Sequence, residues 1–376
     1  MGVTLIAERL FDGEHILTDV AVTIGDNGII SAVGGGVISS AERLSGLLVP
    51  GLIDIQVNGG GGVLFNQDPT VAALQKISEA HSQYGTSAFL PTLITDRFPV
   101  MQRAADAVSE ALSSDVPGVI GVHFEGPHLS EAKKGTHEQG FIRSLSDEEL
   151  SLYAREDLGI RLVTLAPECV AVSDIRKLVS LGVHVCLGHS NASADTVEVA
   201  LDAGATGFTH LYNAMSPLHS REPGMVGTAL IRDDAWCGLI VDGHHVSPGA
   251  ITLALKAKPH GKLLLVTDAM SLVGSDATSF PLFDRVVTRD GDKLTSSTGE
   301  LAGSHLDMIG AVRNIHEWCG VELPEALRMA SLYPAQFLGL GAGVIKEGAR
   351  ADMVLLDEGL QVSRTWSRGC EVYRRG

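Results

Sequence analysis

The chain lacks the features that mark several specialised classes of protein. Its five cysteines (Cys169, Cys186, Cys237, Cys319, Cys370) are odd in number, scattered, and never spaced as a C-x-x-C pair. That argues against a disulfide framework and for a reducing compartment, the cytoplasm. No window approaches the roughly 18 apolar residues needed to span a bilayer. The N-terminal MGVTLIAERLFDGEHI has no basic segment ahead of an apolar core, so it does not read as a signal peptide. Basic residues are also scarce: 28 Lys+Arg against 45 Asp+Glu leave a net charge of -17. Such a balance disfavours nucleic acid and anionic membranes as partners. It still permits one small anion, held by a local cluster of Arg and His. Internal repeats and low-complexity segments are absent as well.

What is present is an ordinary globular composition, 45% hydrophobic and 19% charged, over a length of 376 residues. That length suits one large α/β domain with an accessory piece. The first fifty residues run in short alternating bursts, VTLIAERLFDG and ILTDVAVTIGDNGIISAVGGG, separated by Gly, Asp and Asn turns. The C-terminal GVIKEGARADMVLLDEGLQVSRTWSRGCEVY reads the same way. Period-two patterning of this kind predicts strands in a small antiparallel sheet. The expected division is therefore an accessory β-sandwich domain from residues 1–49 and 339–376, with residues 50–338 inserted as the main domain.

That insertion alternates apolar strands with amphipathic helices. Eight strand candidates stand out: LIDIQV, TSAFLPT, VIGVHFE, RLVTLAP, HVCLGH, GFTHL, CGLIVDG and LLLVTD. Helical stretches such as TVAALQKISEAHSQYG, FPVMQRAADAVSEALSS and ADTVEVALDAG lie between them. Eight such units predict an α/β fold of the (β/α)₈, TIM-barrel type. A doubly wound open sheet is the competing reading. It requires a G-x-G-x-x-G turn after the first strand, and Leu64 stands where the last glycine belongs.

In a barrel the reactive side chains project from the C-terminal ends of the strands. Those ends read His123-Phe124-Glu125-Gly126-Pro127-His128, Gly188-His189-Ser190-Asn191, Thr209-His210-Leu211-Tyr212-Asn213, Asp242-Gly243-His244-His245 and Thr267-Asp268-Ala269. One histidine at such a place usually has only a structural role. Their concentration on one rim is a functional signal. Glu125, His189 and His210 form a one-carboxylate, two-imidazole set that suits Zn²⁺ or Fe²⁺ with a position left open for water. Asp268 is then the proton shuttle, the alternative being a helix N-cap.

The motifs HFEGP, LGHSNA, THLYNAMSPLHSREPG, DGHHV, LVTDAM and LAGSHL resemble those of the N-acetylglucosamine-6-phosphate deacetylases of the amidohydrolase superfamily. The resemblance extends over nearly the whole chain, to the closing GARADMVLLD. It implies a metal-dependent hydrolase that removes acetate from N-acetyl-D-glucosamine 6-phosphate in amino-sugar catabolism, working as a homodimer. By motif match it implies Glu125, His189 and His210 as metal ligands and Asp268 as catalytic acid/base. Thr136, His137, Asn213, Ala214, Arg221, His245, Leu301, Ala302 and Gly303 match substrate contacts.

Strand one carries the main departure. Most amidohydrolases end it in His-x-His, and this chain has Gln56-x-Asn58. Amides are weak neutral ligands, so Gln56 and Asn58 are expected to support the site by hydrogen bonds. One divalent ion per chain is then expected, Zn²⁺ ahead of Fe²⁺. Strand four ends Thr164-Leu165-Ala166-Pro167-Glu168, without the lysine that two-metal relatives carbamylate. Three other readings compete: a deacetylase of another hexosamine phosphate such as N-acetylgalactosamine 6-phosphate, an N-acyl-amino-acid hydrolase, and an inactive barrel kept for binding. Retention of Glu125, His189, His210 and Asp268 together counts against the last.

Overall fold

A computed structural model of the chain describes residues 2–34 and 41–376. Residues 1 and 35–40, part of the expected N-terminal accessory segment, lie outside the described residues. Eight parallel strands follow one another in chain order around a single sheet: Leu52–Val57, Thr86–Ile94, Gly121–Glu125, Ile160–Leu165, His184–Leu187, Gly207–Phe208, Trp236–Leu239 and Leu263–Leu265. All eight fall on the strands expected from the sequence. The last returns to the first, because Val57 bridges Ala269 in parallel. Across that seam the Asn58 N–H donates to Ala269 O at 2.9 Å and the Asp268 N–H to Gln56 O at 3.0 Å. The closing bonds of the barrel thus set Gln56, Asn58 and Asp268 side by side.

The strands are apolar on both faces for a physical reason. Side chains pointing inward fill the barrel, and those pointing outward meet the helices that follow each strand. Strands one and two are buried along their full length. Helix starts are marked by side chains that accept otherwise unpaired N–H groups. Thr70 caps Val71–Ser82, Ser193 caps Ala194–Asp202, Ser247 caps Pro248–Ala257 and Asp307 caps Met308–Cys319. Ser146 and Glu149 form a reciprocal capping box at Asp147–Tyr153.

The two chain ends meet in a separate seven-stranded sheet. Met353–Leu356 pairs antiparallel with Glu42–Pro50, and that strand lies parallel to Val3–Phe11. The parallel pair departs from the all-antiparallel expectation: Glu42–Pro50 lies along one edge of Val3–Phe11, and Ile16–Ile24 pairs antiparallel along the other. Leu5, Leu10, Val22, Ile30, Leu48, Met353 and Trp366 give this sheet its own core.

A three-stranded antiparallel insert, Ser279–Leu282, Arg285–Asp290 and Lys293–Ser296, separates strand eight from its helix. It was not expected, although the alternating SFPLFDRVVTRDGDKLTS with a Gly291-Asp292 turn carries the signal. Phe280, Leu282, Val287 and Leu294 pack with Ile94, Met270 and Ala302 as a small core on the rim of the barrel.

Candidate active site

Glu125 ends strand three, while His189 and His210 lie just beyond strands five and six. Glu125 Oε1 is 3.1 Å from His189 Nε2 and 3.0 Å from His210 Nε2, and the two nitrogens are 3.0 Å apart. All three residues are buried. His189 Nδ1 faces the carbonyl of Lys133 at 2.8 Å, which can only accept, so Nδ1 carries the proton and Nε2 a lone pair. A lone pair aimed at a carboxylate and a second imidazole calls for a positive centre between them. The set of one oxygen and two nitrogens fits a divalent cation.

The backbone is left-handed at three of these positions. His189, His210 and Asp268 have φ of 48°, 37° and 52°. Left-handed backbone costs a non-glycine residue roughly 1–2 kcal/mol. Such strain is characteristic of sites where side-chain direction matters more than local comfort.

Asp268 lies on the seam between strands eight and one. Its Oδ1 accepts from Asn58 Nδ2 at 2.6 Å and from Gln56 Nε2 at 3.2 Å. Gln56 Nε2 also donates to Glu125 Oε2 at 3.1 Å. Burial pushes the Asp268 carboxyl up to about 6, with the charge of Glu125 adding to the rise, while His210, His245 and Asn58 oppose it. A carboxyl poised near neutrality suits proton transfer in both directions. It is not a helix cap: Asp307 caps the helix that follows strand eight.

His137 is fixed in the opposite sense to His189. The Thr95 N–H donates to its Nδ1 at 3.3 Å, and Thr95 Oγ1 is 2.7 Å from the same atom. Nδ1 is therefore an acceptor, and Nε2 carries the proton. Burial keeps this ring neutral, its pKa lying well below the ordinary value. Space around Thr95 is tight. Gly126 has φ +87°, and a Cβ there would meet Thr95 Oγ1 at 2.2 Å.

These groups surround a cavity of about 180 Å³. Asn58, Glu125, Thr136, His137, His189, His210, Asn213, Ala214, His245, Asp268, Leu301 and Gly303 line it, twelve positions singled out from the sequence. Ala302 faces the core of the rim insert instead. Arg221 is exposed and does not line the cavity. It does not pair with neighbouring Glu222, whose carboxylate accepts from the N–H groups of Ala194 and Gly224. Sequence reasoning missed Ile94, Gly135 and Met270 on the wall, and the Thr95 and Lys133 groups that set the two histidines. Threonine and a backbone carbonyl carry no motif, so only their placement reveals them.

The chain is similar to known proteins over most of its length. The model of the Amidohydrolase family matches residues 47–372. The chain is 51% identical over 331 residues to an N-acetylgalactosamine-6-phosphate deacetylase of Shewanella sp. (strain ANA-3), covering 88% of this chain and 84% of that one. It is 36% identical to an N-acetylglucosamine-6-phosphate deacetylase of Vibrio furnissii, covering 98% and 94%. The crystal structure of N-acetylglucosamine-6-phosphate deacetylase from Pasteurella multocida superimposes with a TM-score of 0.95 at 34% identity, over 100% of both chains.

Proposed function

Because the chain belongs to the amidohydrolase family, we propose that it hydrolyses the acetamido group of N-acetyl-D-glucosamine 6-phosphate, giving acetate and D-glucosamine 6-phosphate. One observation carries the reading: a buried, amide-tethered carboxyl, Asp268, shares a cavity with the Glu125–His189–His210 set. The names of the relatives support the substrate class, a 2-acetamido sugar carrying a 6-phosphate.

We place one divalent ion, Zn²⁺ ahead of Fe²⁺, on Glu125, His189 and His210. When bound, such an ion supplies Lewis acidity, polarising a carbonyl and lowering the pKa of water to about 7. The chain's own groups do the rest. Asp268 takes the proton of the attacking water and passes it to the amide nitrogen, which needs it before the C–N bond breaks. Asn58 and Gln56 hold one carboxyl oxygen and leave Oδ2 for that transfer. His137 offers its Nε2–H to a substrate oxygen. Thr136, Asn213, Ala214, Leu301 and Gly303 shape the sugar site, with Ala302 packed behind them. Arg221, which makes no ion pair among the described residues and does not line the cavity, is assigned to the phosphate on the family resemblance alone. We also infer a homodimer working in the cytoplasm, the first from the family resemblance and the second from five unpaired cysteines.

A second reading, N-acetyl-D-galactosamine 6-phosphate as the preferred substrate, is favoured by the 51% identical relative. The two sugars differ only in the direction of the 4-hydroxyl. Acetate release from both 6-phosphates and from their unphosphorylated counterparts separates the readings. Faster turnover of the galacto epimer assigns the second, and release from neither sinks both. Arg221→Ala belongs in the same assay and should lower the preference for phosphorylated sugar.

A further inference from the structure

One imidazole on the cavity wall is paired with a carboxylate to which the steps above give no part. His245 lines the cavity, and Asp242 stands behind it at the end of strand seven. His245 Nδ1 is 2.6 Å from Asp242 Oδ2, while Asp242 Oδ1 accepts the N–H groups of His244 at 2.9 Å and His245 at 2.8 Å. The side chains are only 8% and 5% exposed. All these bonds lie within one four-residue turn, so ring, carboxylate and backbone form a single rigid unit. Nε2 has no partner among the described residues.

The other imidazoles of the cavity are committed. His189 and His210 turn their Nε2 atoms to Glu125. His137 is held neutral by Thr95. No lysine or arginine is among the residues that line the cavity. Of the cavity's imidazoles His245 is the one whose Nε2 is uncommitted, and the family resemblance makes it a substrate contact.

We propose that Asp242 is a positioning residue for the phosphate of the substrate: it orients the His245 ring through Nδ1 and balances the positive charge the ring carries when Nε2 donates to a phosphate oxygen. The proposal rests on the deacetylase reading for the identity of the anion. Chemically it needs only an oxyanion within reach of Nε2. Burial opposes ionisation of Asp242, but the bond from His245 and the two backbone N–H groups hold the carboxyl below its ordinary value. The carboxylate is thus present to balance the ring.

The geometry makes Asp242→Asn informative. Oδ1 already accepts two backbone protons, so the new NH₂ must take the place of Oδ2 and point its protons at Nδ1. The ring must then accept there, which leaves it neutral. The neutral ring still donates from Nε2, so what is lost is its charge, which corresponds to about tenfold in affinity. KM for the 6-phosphate substrate should rise by that factor, with kcat changed far less. The ratio of kcat/KM between phosphorylated and unphosphorylated sugar should fall by the same factor. The double variant with His245→Gln should lose no more than His245→Gln alone, because Asp242 acts through that ring.

Equal losses on both sugars with KM unchanged would reduce Asp242 to a structural turn, and additive losses in the double variant would also overturn the proposal. Titration with inorganic phosphate, followed by calorimetry, needs no turnover. If the unaltered chain releases no acetate, the deacetylase reading fails, yet this titration still decides the role of Asp242. Weaker phosphate binding in Asp242→Asn upholds it, and equal binding refutes it.

Discussion

Gln56 Nε2 lies 3.1 Å from Glu125 Oε2, an amide donor joining strand one to the carboxylate that ends strand three. The same nitrogen reaches Asp268 Oδ1 at 3.2 Å. One neutral side chain thus separates two carboxyl groups and gives each a proton to lean on. A histidine at this position would compete with that arrangement, which gives the Gln-x-Asn ending of strand one a physical purpose.

Gln56→Leu should keep the shape of the position and remove both donors. Groups that orient metal ligands typically matter by about 10–100-fold in activity or metal affinity. Turnover should fall within that range while the fold persists by circular dichroism. Unchanged turnover and metal retention would show that the bridge is ornamental.

Asp268→Asn should leave metal content intact and cut turnover by about 10²–10⁴-fold or more, the usual cost of a lost acid/base. The asparagine can still bond Asn58 and Gln56, so the effect reads proton transfer rather than folding. Turnover near that of the unaltered chain would falsify the assignment.

Metal analysis after dialysis should return about one divalent equivalent per chain. A strong chelator should abolish acetate release, and one equivalent of Zn²⁺ should restore it. His189→Ala should lose both the metal and the activity. Retention of two equivalents, with activity following the second, would show that Gln56 and Asn58 act as ligands after all.

Asp54 offers a test of stability against pH. It is fully buried in strand one, accepts from Gln56 N at 3.1 Å and Thr267 N at 3.3 Å, and bonds the Thr267 hydroxyl. Burial raises its pKa from 3.8 to about 7. Between these values the folded chain holds a proton that the unfolded chain has released, so stability falls as pH rises through the window. The full effect is of order 4 kcal/mol, since each pKa unit is about 1.4 kcal/mol. Asp54→Asn should flatten the melting temperature against pH between about 4 and 7 relative to the unaltered chain. Parallel curves for the two would show that Asp54 keeps its charge in the fold.

How the site could be read from the sequence differs from residue to residue. Glu125, His189, His210 and Asp268 were visible because each ends an apolar run, and an apolar run buried on both faces is a barrel strand. Asn213, His245 and Gly303 came from motif resemblance. Thr95, Lys133 and Met270 were not visible, since their types are common and their roles depend on partners 42, 56 and 33 positions away in the chain (Thr95 to His137, Lys133 to His189, Met270 to Gly303).

The amino-acid order by itself determined the eight-fold alternation of strand and helix, the pairing of the two ends in an accessory sheet, and the rim on which chemistry collects. These follow from hydrophobic period and turn chemistry, which are local. Only the tertiary structure decided which proton each imidazole carries. Lys133 O makes His189 a lone-pair donor, Thr95 N–H makes His137 a proton donor, and Asp242 turns the Nδ1 of His245 away from the cavity. It also decided that Arg221 stands outside the cavity and that a three-stranded insert walls it through Met270. A tautomer is set by the one atom that meets the far side of a ring, and that atom is supplied by chain closure in three dimensions.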